Sequence, residues 1–349
     1  MSRKWNGKAL VDELSTRLWD CSDANKERVI TWINEIQDDI VSEMPVDFYK
    51  FKMKKLLPIS QEIIDVNPEI PIKPVISTQN GGNLVDGTSY KVLVTFVIWD
   101  ADQKNYVESE ASEASTAVTM TSTFKQLYIS VLPTMGGDTS VVPNIVWRNI
   151  YVQKKASGET SYGEPFYVFT FENNTDTNTS FADEPTSTIT PPSDSEVDQV
   201  ANDNPYNLSS GKYLERQDMD DLRRYNPTGS ASGTPSYYDY VGTDRILLYP
   251  KLSAAATVAE RTFNYFIHRR PHETFYDTDR AIDLPITFKM ALIEGVLWKG
   301  YEFRDRDGHV TKLNNYEKFK AKALNKIRRL KNRPSVVRDV MGDTFGYEV

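Results

Sequence analysis

Few residues in this chain could do covalent chemistry, and their spacing argues against it. The histidines are His268, His272 and His309. On a helix, His268 and His272 would face one metal ion, but Pro271 lies between them and breaks such a helix. The pattern predicts surface or strand-edge histidines. The one cysteine, Cys21, has no histidine near it in sequence and predicts a half-buried thiol at a helix end. DRDGH, at 305–309, resembles part of a calcium loop. With Gly308 at the sixth position, however, the first and twelfth positions fall on Phe303 and Asn314, so two key ligands are missing. A helix-to-helix turn is the better reading. No HExxH, Walker loop or GxGxxG occurs. The chain therefore predicts no enzyme, no catalytic residue, no metal site and no cofactor.

Two other stretches could bind something. Between 309 and 333, nine Lys/Arg stand against one acid, Glu317. Lys318, Lys322, Lys326, Arg329 and Arg333 form a candidate basic interface, suited to an acidic protein or to DNA phosphates, or simply a solvated face. The second stretch, GTPSYYDYVGTDRILLYPKL at 233–252, is rich in tyrosine. Tyr238 and Tyr240 alternate onto one face, as a glycan-stacking site or a packed hairpin would require. The flanking Gly233, Pro235, Gly242 and Asp244 are turn residues and favour the hairpin.

The elements around these residues come in three blocks. Residues 1–57 read as helical: Leu10, Leu14 and Leu18 mark one helix, and Val29, Ile33, Ile36 and Ile40 a second. Ser22 or Asp23 caps the second helix, and Pro45 stops it. From 71 to 190 the period falls to two. Tyr90–Trp99 alternate, strand-like runs follow at 127–132, 145–154 and 165–171, and glycines 81, 82, 136, 137 and 158 punctuate them. This predicts a β-sandwich inserted into a helical domain. After a Pro/Ser/Asp-rich linker, LERQDMDDLRRY predicts a short helix, and 245–249 and 261–268 predict strands. ITFKMALIEGVLWKGYEF and roughly 310–332 predict the last helices, and Pro334 ends the second. The expected fold class is α+β: a discontinuous helical adaptor domain with a small β-hairpin (1–70 and 191–333), an inserted Ig-like or fibronectin-like β-sandwich (71–190), and an extended C-terminal arm (334–349).

Composition sets outer bounds. The 349 residues suffice for two domains. The net charge of −8 argues against a general nucleic-acid binder and against attraction to an anionic membrane. No secretory signal or membrane span is predicted, so the sequons at Asn173, Asn178 and Asn207 read as chance matches. One cysteine permits no intrachain disulfide and fits assembly in a reducing cytoplasm.

The order of several short motifs resembles the head-to-tail adaptor proteins of tailed bacteriophages. These are Val29 to Ile40 with Trp32-Ile33-Asn34, then Gly233-Thr234-Pro235 to Tyr238, Leu247-Leu248-Tyr249-Pro250, Arg270-Pro271 and Asp283-Leu284-Pro285 ahead of two helices. The resemblance covers about 1–60 and 204–333. The middle departs from it and is similar to immunoglobulin-like or fibronectin type III modules at Gly87–Val92, Glu108–Ser112, Asn149–Val152 and Phe181–Asp183. The resemblance implies a structural virion protein of the neck. It would form a ring, usually of twelve copies, that joins portal to tail, extends the DNA channel and docks tail or fibre proteins. Double-stranded DNA would pass through without sequence-specific binding during ejection. The arm, with Val336, Val337, Val340, Met341, Phe345 and Tyr347, would reach the portal. Ordering such an arm costs ~1–2 kcal/mol per residue, which repetition around a ring offsets. The alternative is a glycan- or receptor-binding virion module built on the sandwich.

Overall fold

The computed structural model describes residues 6–44, 49–57, 59, 63–100, 105–136, 145–187, 189–192, 196–200, 206–218, 220–221, 224, 231–243, 245–275 and 282–331. The fold is α+β. The chain divides into two compact units, Met1–Phe48 with Pro271–Val349, and Tyr49–Arg270. Both expected insert boundaries, 70/71 and 190/191, fall inside the second unit.

Among the described residues there are five α-helices: α1 (Gly7–Arg17), α2 (Asp23–Ser42), α3 (Val258–Arg261), α4 (Lys289–Phe303) and α5 (His309–Lys331). All but α3 lie in the first unit. Asn6 caps α1 by accepting the Ala9 N–H at 2.9 Å, and Ser22 caps α2 by accepting that of Asn25 at 3.3 Å. Leu10, Leu14 and Leu18 are buried, as are Val29, Ile33, Ile36 and Ile40, so both apolar stripes face the core. Helix α4 is buried on most sides through Ala291, Leu292, Ile293, Val296 and Leu297. Its glycines let neighbours come close: a Cβ on Gly295 would stand 2.8 Å from Ile36 Cγ2, and one on Gly300 2.5 Å from Leu18 Cδ2. Between α4 and α5 lies the expected tight turn, with Asp305 at φ 47° and Gly308 at φ 97°.

Among the described residues the second unit holds 18 strands, β1 to β18. Strand β1 (Lys50–Leu56) corrects the helical reading of 1–57. In KFKMKKL, Phe51 and Met53 point inward at period two while the lysines between them stay at least partly exposed. Strand β2 is Ile63–Asp65. Strands β3 (Val75–Gln79), β7 (Gln126–Val131) and β10 (Thr179–Phe181) form one antiparallel sheet in the order β10-β7-β3. Strands β4 (Ser89–Asp100), β5 (Asn105–Glu108), β6 (Val118–Thr119), β8 (Ile145–Lys155) and β9 (Phe166–Phe171) form another, ordered β5-β4-β8-β9 with β6 also on β4. A third sheet is centred on β18 (Thr262–Arg269), which pairs with β1, with β11 (Val197–Val200) and with β12 (Asn207–Leu208). In the fourth, β13 (Glu215–Arg216), β15 (Tyr237–Tyr240), β16 (Arg245–Tyr249) and β2 follow in order; β14 (Ser232–Gly233) and β17 (Lys251–Leu252) pair separately. Glu215 and Arg216, expected to open a short helix, are thus paired in parallel with Tyr237 and Tyr238.

No closed β-sandwich is identified over 71–190 among the described residues, and the core shows why. One half of the inner face of β4 and β8 (Tyr90, Val92, Val94, Ile150, Val152) packs with Leu127, Ile129 and Phe181 of the three-stranded sheet. The other half (Phe96, Ile98, Val146), with Val107 of β5, joins a separate core with Phe51, Ile64, Tyr206, Tyr238, Phe263 and Tyr265. One sheet face serves two cores, so the middle segment and its flanks share apolar contacts.

Candidate assembly surfaces

Helix α5 carries the clearest candidate interface, and its position is set by a lysine on the wrong side. Lys320 falls in phase with the apolar residues Tyr316, Ala323, Leu324 and Ile327, and its side chain is 5% exposed. A buried ammonium needs partners. It reaches Asp39 at 2.9 Å, Glu43 at 2.8 Å and Glu317 at 3.3 Å, and it lies 4.8 Å from the Tyr316 ring centroid. Burial alone would lower the Lys320 pKa, but hydrogen bonds to Glu43 and Asp39 outweigh it and raise the value. Burial likewise pushes Asp39 up, and hydrogen bonds from the Tyr316 hydroxyl and Lys320 turn that into a net lowering. Lys320 thereby ties α5 to α2. Lys312 binds Glu294 at 3.1 Å and ties α5 to α4, while Lys299 binds Glu35 at 3.1 Å and ties α4 to α2.

Five other cations of α5 point away from these contacts. Lys318, Lys322, Lys326, Arg328 and Arg329 are all exposed, and none has an ion pair among the described residues. Lys318, Lys322, Lys326 and Arg329 fall on one side of the helix, about 17 Å long at 1.5 Å rise per residue, opposite the buried Tyr316–Ile327 stripe. Arg333 and the arm residues Val336, Val337, Val340, Met341, Phe345 and Tyr347 lie outside the described residues.

The chain re-enters the helical unit through a clip made by residues of the adaptor-like motifs. Asn34 accepts the Thr274 N–H at 2.8 Å and donates to the Thr274 carbonyl at 3.3 Å. Gln37 donates to the His272 carbonyl at 2.8 Å, and Asp283 accepts the His272 N–H at 2.9 Å. Trp32-Ile33-Asn34 and Asp283-Leu284-Pro285 thus help hold the segment after Arg270-Pro271.

The other chemical candidates resolve as structure. Tyr238 is 5% exposed and packs 4.6 Å from Tyr206, and the Tyr240 hydroxyl donates to that of Tyr206 at 3.3 Å. In the β15–β16 hairpin Tyr238 faces Leu248 and Tyr240 faces Ile246. Burial pushes the Tyr238 hydroxyl up to about 12, so it stays protonated. The tyrosines pack within one chain. His268 and His272 correct the surface reading. Both are buried, His268 in the central strand β18 and His272 in the re-entry clip. Cys21 is exposed rather than half-buried, because it lies in the turn ahead of the α2 cap. Among the described residues no cluster of His, Cys, Asp and Glu could hold a metal ion.

Two arrangements escaped sequence reading. Ser109, Ser112 and Ser115 run along the edge of β4. Their hydroxyls accept the N–H groups of Phe96, Val94 and Val92 at 2.9, 3.0 and 2.9 Å. Their own N–H groups donate to the same three residues' carbonyls, so the ladder covers an otherwise open sheet edge. The signal was legible as serine at every third position of SEASEAS. Arg148, fully buried, donates to the carbonyls of Pro133, Asn173 and Asp176 and to the Asn173 side chain at 2.7–3.1 Å. Burial lowers it to about 10. An arginine alternating among Val146 and Ile150 was the only clue.

These surfaces fit a protein that assembles with partners, and family comparison points to the same class: part of the chain is similar to a family of phage adaptor proteins, a structural class. Residues 167–340 match the model of the SU10 adaptor protein family. The match begins at β9, inside the segment expected to be an insert, and leaves α1 and α2 outside it. No curated protein matches the chain.

Proposed function

We propose that this chain is the ring-forming connector of a phage neck, set between portal and tail, with the DNA channel running through the ring. The observation that carries this reading is the SU10 adaptor match over residues 167–340, which spans β18, its partners β11 and β12, α4 and α5. An adaptor of this kind binds other virion proteins. Twelve copies would complete the ring, and the arm from 334 to 349 would dock on the portal through Val336, Val337, Val340, Met341, Phe345 and Tyr347. The sheets between 75 and 181 would act as an Ig-like module that offers a surface to tail or fibre proteins. A glycan-stacking role at 233–252 has a reduced platform, because Tyr238 is buried in the core and Tyr240 is partly buried against it. Among the described residues no helix is long and apolar enough to cross a membrane.

Electron microscopy of the protein mixed with the portal of the same phage tests this reading. The expected result is a closed ring stacked on the portal. Monomers scattered beside bare portals, or a ring bound elsewhere on the virion, would overturn it.

A further inference from the structure

Two exposed faces of the helical unit carry opposite charge on the same spacing. On α5, Lys318, Lys326 and Arg329 stand eight and three residues apart, with Lys322 between them. On α2, Glu27, Glu35 and Asp38 repeat that spacing, with Thr31 between them. All seven residues other than Lys322 are exposed in the same sense as Lys322 itself. Each stripe lies opposite its own helix's buried face: Ile33, Ile36 and Ile40 on α2, and Tyr316, Ala323 and Ile327 on α5. Both stripes are about 17 Å long at the helical rise. Glu35 also reaches Lys299 at 3.1 Å while staying about half exposed. Asp38, like Glu35, has an interaction within its own chain and stays exposed, and Asp39 and Glu43, on the flank of the α2 stripe, are committed to Lys320.

We propose that the basic stripe of α5 docks on the acidic stripe of α2 in a second copy of this chain. A parallel register sets Lys318 against Glu27, Lys326 against Glu35 and Arg329 against Asp38. Like charges repel in α5–α5 or α2–α2 pairing, so only the unlike pairing is favoured. Two different patches on each subunit make the contact heterologous, the kind that closes a ring when its rotation permits. This rests on the ring reading for the presence of neighbouring copies, and it adds which helix faces meet.

The test uses three full-length proteins: wild type, Lys318→Glu/Lys326→Glu/Arg329→Glu, and Glu27→Lys/Glu35→Lys/Asp38→Lys. All the changes are on exposed positions, and circular dichroism melts check that each protein folds. Sedimentation velocity at about 50 mM and about 500 mM salt reads self-association, alone and with portal, because exposed ion pairs weaken over that range. The wild type is expected to self-associate more strongly at low salt. Each triple variant is expected to lose about a hundredfold in affinity, as each reversal replaces an attraction by a repulsion. Mixing the two variants is expected to restore association, since the reversed α5 then meets the reversed α2. Association that is unchanged in either variant, or not restored in the mixture, overturns the contact while leaving a ring on the portal intact. A wild type that stays monomeric alone and with portal overturns both readings. If the α5 variant loses binding to a fluorescent DNA duplex but keeps self-association, the stripe is a phosphate contact and the proposal fails.

Discussion

Lys320→Met probes how the helical unit is held together, and its size can be worked from exposure. The lysine is 5% exposed, but Asp39, Glu43 and Glu317 keep 49%, 48% and 55%. Carboxylates that open return to water when the ammonium is removed, so each pair counts at the exposed end of the range, ~0.2–1 kcal/mol. Contact with the Tyr316 ring adds ~0.5–1 kcal/mol. Methionine keeps the buried stem and avoids desolvating a charge, which offsets ~1 kcal/mol. The net loss is about 1–2 kcal/mol, or a fall of about 3–8 °C in Tm for a unit of this size. Urea and thermal unfolding followed at helical wavelengths would measure it, with Lys318→Met on the exposed face as a control expected within ~0.5 kcal/mol of wild type. The pH dependence gives a second reading. Asp39 has a folded pKa below its ordinary 3.8, so its contribution is present above 3.8 and is lost as pH falls through the lower folded value. Lys320 has a folded pKa above its ordinary 10.5, so its contribution is complete below 10.5 and is lost as pH rises through the folded value. The gap between wild type and variant should therefore stay flat from about pH 5 to pH 9 and close in acid. A variant as stable as wild type at neutral pH, or a gap that survives in strong acid, would refute the reasoning.

Gly295→Ala should destabilise by ~1–3 kcal/mol in urea titration, because its methyl would stand 2.8 Å from Ile36 Cγ2 and 3.0 Å from Tyr316 Cδ2. Arg148→Met should cost about 3 kcal/mol, since three carbonyls lose a charged donor; limited proteolysis should show new cleavage near 133–136 and 173–176, and an unchanged digest would count against that role. Ser112→Ala should cost ~1 kcal/mol by leaving the Val94 N–H without its hydroxyl acceptor, and amide exchange at Val94 should quicken. Deleting residues 74–190 should unfold the second unit rather than leave it intact, because Phe96, Ile98, Val107 and Val146 leave a shared core; an undiminished strand signal per residue with a cooperative melt would contradict this.

Period carried most of the secondary structure. The strands at 89–100, 126–131, 145–155, 166–171 and 245–249, and helices α1, α2, α4 and α5, follow from apolar spacing in the sequence. What failed was context. KFKMKKL has only two apolar residues between lysines, and it became a strand because β18 offered it a register from His268 to Thr262. Lys320 could be counted among the cations of the last helix, but only the return of α2 supplies Asp39 and Glu43, far away in sequence. The serine ladder was visible as a repeat, yet its partner, the edge of β4, exists only once the sheet forms. Helix propensity could not announce Gly295 and Gly300 as contact points, because their value lies in how near Ile36 and Leu18 come.

The charges of α5 divide by phase, and that division links stability to assembly. Lys312 and Lys320 turn inward and pin α5 to α4 and α2, whereas Lys318, Lys322, Lys326 and Arg329 turn outward. A helix held by several ion pairs and a close-packed glycine presents its outer face with little freedom left to lose. A rigid charged stripe meets a partner at lower entropic cost than the same lysines on a fraying helix. Removing the inner anchor should then weaken any contact of the outer face without touching one of its residues. Lys320→Met should lower self-association in the same sense as the α5 charge reversals but by less. Unaltered self-association despite a measured loss of stability would show that the two faces act independently.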